Sequence, residues 1–138
     1  MFSELLSALR AALMEESGVL GRVYEGFDGL PVSEKAAPAC VLLPGDVRLQ
    51  SPIPDSGDGV VPFEARFALV LLDAPDTPGS VLQDRLFDTA IPALQAVGAQ
   101  LFSGSCPLPK ADPLLGRIAL RGEFVLRGLY TASQEVSA

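Results

Sequence analysis

The sequence predicts an α+β domain in which two helices pack on a mostly antiparallel, twisted β-sheet. Three observations carry that reading. An opening stretch places its apolar residues at helical spacing. A central and a C-terminal stretch alternate with period two. A second helical stretch lies between those strands. At 138 residues the chain is read as a single domain. A chain of this size buries roughly two-thirds of its unfolded surface and needs no staples.

Phe2, Leu5, Leu6, Leu9 and Leu13 fall on one face of a helix over residues 2–16. Glu4, Arg10, Glu15 and Glu16 stand elsewhere on the wheel. Gly18 is the predicted C-cap, because glycine takes the left-handed conformation cheaply. A short strand is expected over residues 19–24, and Phe27-Asp28-Gly29 is a turn signal. The run Ala39-Cys40-Val41-Leu42-Leu43 reads as a buried strand that stops at Pro44-Gly45, with residues 47–50 continuing it after a turn. Residues 51–59 are rich in Pro, Ser, Asp and Gly, and read as an exposed loop.

Residues 60–72 form a long strand with Phe63, Ala65, Phe67, Leu69 and Leu71 on one face. Residues 68–72 are apolar on both faces, so that end is expected to be covered on both sides. Ser80 followed by Gln83 matches a capping box for a helix over residues 81–97. Pro92 lies inside that helix and predicts a kink or break near Ile91, with Gly98 ending it. Residues 103–113 read as a Pro-rich loop. Ile118, Leu120, Phe124 and Leu126 alternate with Arg117, Arg121, Glu123 and Arg127 in one long strand, or in a hairpin split at Gly122. Gly122 and Gly128 are candidate bulges, and residues 131–138 a frayed tail.

The formal net charge is −7. Such a surface repels phosphate backbones and argues against a general nucleic-acid binder. The opening helix has no basic leader, and Glu4 and Arg10 interrupt it, so it is not read as a signal peptide. No run approaches the roughly 20 apolar residues of a membrane helix. The expectation is a soluble cytosolic protein without a membrane partner. Cys40 and Cys106 leave a disulfide open without requiring one.

Candidate chemistry is sparse. The chain has no histidine. Ser103, Ser105 and Cys106 therefore have no histidine base, and Lys110 is the cation nearest to them in sequence. Asp55 and Asp58, with Asp46 upstream, could meet a hard cation, but they lack the ligand alternation of a calcium loop and read as turn residues. Asp73 and Asp76 read as residues placed ahead of a helix start. The glycine-rich stretches match no phosphate-binding pattern. No catalytic, metal or cofactor-binding residue is assigned. Arg117, Arg121 and Arg127 share one face of the last strand and are read as a solvated face or a subunit contact. In the contact reading, the acidic loops around Asp55, Asp58, Asp73 and Asp76 are the natural partners in a neighbouring copy. Ile53 is the apolar side chain expected to dock.

The layout resembles the tail-terminator and tail-completion family of long-tailed bacteriophages, including minor tail proteins of prophages and tailocins. An opening helix with Leu5-Leu6-Ser7-Ala8-Leu9-Arg10 leads into strands. The strand Phe67-Ala68-Leu69-Val70-Leu71-Leu72 meets a helix with Leu82-Gln83-Asp84-Arg85-Leu86-Phe87, and a closing strand ends in Phe124-Val125-Leu126. The resemblance implies a non-enzymatic ring, commonly a hexamer, that caps the tail tube and joins it to the head and neck proteins. It implies a place in the virion tail, and in the host cytoplasm during assembly. Two other classes stay open: a head–tail connector or adaptor, and a small-ligand-binding or carboxylate-based enzymatic α+β domain.

Overall fold

A computed structural model of the chain describes residues 2–25, 38–51, 60–97, 100–112 and 116–131. Helix α1 (Phe2–Met14) is followed by one short turn, α2 (Ser17–Leu20), and strand β1 (Arg22–Glu25). Strands β2 (Ala39–Leu49) and β3 (Val60–Asp73) come next. The second helical stretch comprises α3 (Gly79–Arg85), a π-helical turn (Leu86–Ala90) and α4 (Ile91–Gln95). Strands β4 (Gln100–Ser105), β5 (Lys110–Asp112) and β6 (Arg117–Thr131) complete the fold. The sheet order is β1-β2-β3-β6-β4, with β5 on β6. Among the described residues only β1 and β2 run parallel; the other pairs are antiparallel. The fold is α+β, as the patterning predicts.

Both helical stretches lie on one face of the sheet. Leu9 and Leu13 of α1, with Leu82, Leu86 and Leu94 of the second stretch, pack on Leu42, Phe67, Leu69, Leu71, Leu120, Phe124 and Leu126. A smaller cluster of Tyr24, Ala39, Val41, Val70 and Leu72 sits on the opposite face. Residues 68–72 are therefore buried on both sides, each under about a tenth exposed. A β-strand points successive side chains to opposite faces, so this double burial requires the unbroken apolar run seen there.

Several local expectations change. Gly18 lies inside α2, and the helical stretch ends at Gly21, which holds φ 78°. A Cβ on Gly21 would sit 2.3 Å from the Pro38 carbonyl oxygen, so chain approach as well as backbone angle selects glycine there. Consequently residues 19–20 are helical and β1 starts at Arg22. The Ser80–Gln83 box is not formed: the helix begins at Gly79 with Pro78 in the cap position and no side-chain cap. Pro92 neither breaks nor stops its helix. Proline removes one N–H and crowds the carbonyl four residues back. The helix widens by one π turn just before it, with the Ile91 N–H bonding to the Leu86 carbonyl.

Strand β2 continues through Pro44-Gly45 with a register shift between Pro44 and Val47, where the sequence predicts a stop. Residues 103–105, expected as loop, belong to β4, and residues 110–112 form β5. β6 is one strand and does not turn at Gly122. Its register with β3 runs unshifted from Val60 opposite Thr131 to Asp73 opposite Ile118, so neither Gly122 nor Gly128 is a bulge against β3. Aromatic rings cover both glycines instead. A Cβ on Gly122 would lie 2.8 Å from the Phe124 ring, and one on Gly128 2.5 Å from the Phe63 ring. Thr131 is still in the strand; residues 132–138 lie outside the described residues.

Candidate interaction surface

The sheet face opposite the helices is half covered. Beyond the cluster around Val41 and Val70 it opens into a shallow trough of about 530 Å³. Leu43, Ala68 and Val125 line it together with Arg66, Arg121 and Glu123. The registers explain why these residues meet. Leu43 pairs with Ala68, Ala68 with Glu123 and Glu123 with Ser105; Arg66 pairs with Val125, and Val125 with Ser103. Small and branched side chains thus make the floor, and arginines and a glutamate the walls.

The three arginines singled out from the sequence are of the same parity on β6 and share this face, but in three different environments. Arg117 is buried, at 8% exposure, beside the covered end. Arg121 is exposed and lies 3.5 Å from Glu123 of its own strand. Arg127 donates to Glu64 Oε1 through Nε at 3.3 Å and Nη2 at 3.2 Å, a cross-strand pair that Gln50 Nε2 joins at 3.3 Å. Of the three, Arg121 has the most exposed side chain, Arg127 is part-exposed in its ion pair, and Arg117 is buried. Arg66 and Arg48, on the same face of neighbouring strands, are further exposed cations beside the trough; sequence spacing cannot reveal them, because sheet register brings them there. Ile53, Asp55 and Asp58 lie outside the described residues.

On the helical side, a groove of about 350 Å³ runs between α1 and the sheet. Leu5, Leu6, Leu9, Val47, Ala65 and Leu126 line it. Val47 and Leu49 stand exposed on β2 near it.

Asp73 closes β3 and pairs with Arg85 of α3. Burial of this carboxyl would by itself raise its pKa. The Ala74 N–H at 2.7 Å, the Arg85 guanidinium and the Thr77 side chain outweigh that effect and hold it below the ordinary carboxylate value. The pair ties a strand end to a helix, which accounts for the shift structurally. Asp76 is exposed in the turn between them.

Both cysteines are free thiols. Burial pushes the Cys40 thiol up to about 12 and raises that of Cys106 as well. A raised thiol pKa is the opposite of nucleophile activation. Cys106 Sγ lies 3.9 Å from the Pro107 carbonyl oxygen, its weak acceptor. Among the described residues no three His, Cys, Asp or Glu side chains converge to hold a metal ion, and no helix is long and apolar enough to cross a membrane.

No family model matches this chain, and neither does any curated protein.

Proposed function

We propose that this chain is a structural virion-assembly protein: a ring-forming component that terminates or completes a phage or phage-derived tail and joins it to the head. The observation that carries the reading is the one-sided architecture. Helices cover a single face of a long twisted sheet, and the other face opens into a broad trough walled by Arg66, Arg121 and Glu123. Mixed charges around an apolar floor suit a protein–protein contact. The resemblance of the sequence layout to the tail-terminator family is what suggests this class. The net charge of −7 suits a ring whose lumen passes DNA without holding it. The partners of this reading are further copies of the chain, the tail tube and the head–neck proteins, with no cofactor and no membrane. The alternative within the same class is a head–tail connector or adaptor.

The apolar groove beneath α1 favours a second reading, a small-ligand-binding module, because small-molecule sites are concave and mostly apolar. Negative-stain electron microscopy of the concentrated protein separates the two. Closed rings with a central channel are the expected images. A field of uniform monomers, together with saturable uptake of an apolar dye into the groove, would replace the assembly reading.

A further inference from the structure

We propose that one copy of this chain adds the outer edge of its β4 to the open half of β2 in the next copy, so that the sheet continues from subunit to subunit. The inference rests on the ring reading above and names its contact.

β1 pairs with β2 only over Ala39 to Leu42. β2 has eleven residues, so seven, residues 43–49, have β3 on one side and, among the described residues, no strand on the other. β4 ends the sheet on the far side, and among the described residues no strand pairs with its outer side. It has six residues, nearly the length of the open stretch of β2. Each such edge presents unpaired C=O and N–H groups to whatever fits them, apart from the N–H that Pro44 lacks.

The two edges also stand level. Pro44, Phe67, Phe124 and Gly104 form one row across the four strands, and Arg48, Glu64, Arg127 and Gln100 form another. Their polarity is compatible. β2, β3, β6 and β4 alternate in direction, so β4 of one copy meets β2 of a like-oriented copy antiparallel. One rotation about an axis near the strand direction therefore engages both edges of every subunit. Such a contact is heterologous, and it closes into a ring when its rotation divides a full turn.

Natural edges usually carry charges to forbid pairing. β4 reads Gln-Leu-Phe-Ser-Gly-Ser and carries none. The edge of β2 does carry Asp46 and Arg48, and an uncharged partner strand offers neither of them a like charge. Both edges contain a register irregularity, between Pro44 and Val47 and between Leu101 and Ser103. Bulges bend a strand, and these restrict pairing to a partner edge with a matching bend.

Paired cysteines test the contact. In a Cys106→Ser background, Arg48→Cys and Gln100→Cys are made singly and together, and folding is checked by circular dichroism. Both positions are exposed, and the remaining Cys40 is fully buried. A thiol cross-linker reaching about 8 Å tolerates a two-residue slip of about 7 Å but does not bridge the two sites within one copy, about 14 Å apart across three strand spacings. The double variant is expected to give a ladder of covalent multimers, an equimolar mixture of the single variants only a covalent dimer, and each single variant alone no product. If light scattering shows a closed multimer while the double variant gives no ladder, the edge contact is wrong and the ring reading stands; if one single variant cross-links to itself, the contact is two-fold and both are wrong. If the protein never associates and no ladder forms, both fall together.

Discussion

Replacing Gly122 by alanine tests how the centre of the sheet is packed. The new Cβ would lie 2.8 Å and 3.0 Å from two Phe124 ring carbons and 3.3 Å from Leu86 Cδ2. The ring has little room to retreat. It stacks on Phe67 with centroids 5.4 Å apart, and it also covers Gly104, whose added Cβ would sit 2.5 Å from it. Overpacking of this kind costs about 1–3 kcal/mol. Alanine recovers about 0.5–1 kcal/mol of backbone entropy relative to glycine. Contacts of 2.8 Å and 3.0 Å place the cost in the upper part of that range, so the net expectation is a loss of about 1–2 kcal/mol, read as a lower urea midpoint with an unchanged slope. At this chain length that lowers Tm by about 3–8 °C. Gly18→Ala is the control: nothing lies within 4 Å of its added Cβ, so it is expected to gain about 0.5–1 kcal/mol in the same assay. In a Phe124→Leu background the cost of Gly122→Ala is expected to shrink, since the two residues are in contact. A Gly122→Ala protein as stable as the parent would refute the argument that the ring requires glycine beneath it.

Three further outcomes are expected. Asp73→Asn lowers stability by about 1 kcal/mol at pH 7. Because the folded pKa of Asp73 is lowered, its contribution is present above the unfolded value of about 3.9 and lost as pH falls through the folded value, so the gap between variant and parent closes toward pH 2 in urea titrations. Thiol titration of the native protein at pH 8 gives slow labelling of Cys106 and none of Cys40, and both label on unfolding; rapid native labelling of Cys40 would mean that its burial is misread. Gly21→Ala costs about 2 kcal/mol or more in thermal unfolding, through a positive φ and a clash with the Pro38 carbonyl; a neutral result would contradict that geometry.

Residues whose environment depends on near neighbours in sequence were legible. The helical face of Leu5, Leu9 and Leu13, the alternation in β3 and β6, and the double burial of residues 68–72 all follow from periodicity. Elements settled by tertiary register were not. Residues 103–105 are a strand because β6 offers them a partner, and turn-rich composition cannot disclose that. Gly122 and Gly128 carry the same local signal as bulges, yet their role is to lie beneath Phe124 and Phe63, through contacts that spacing along the chain does not determine. Pro92 announces a disturbance but not its form, because a π turn accommodates the missing N–H as a break would. For the candidate surface, parity places Arg117, Arg121 and Arg127 on one face. Burial, ion pairing and exposure then separate them, and Arg48 and Arg66 enter from other strands.

Self-association is the central claim, and the mass of the unmodified protein in solution tests it most directly. Multi-angle light scattering is measured over a concentration series up to the highest attainable. The account predicts a closed species whose mass is a fixed multiple of the 14.5 kDa chain and which stops growing with concentration. A mass of 14.5 kDa at every concentration would contradict it.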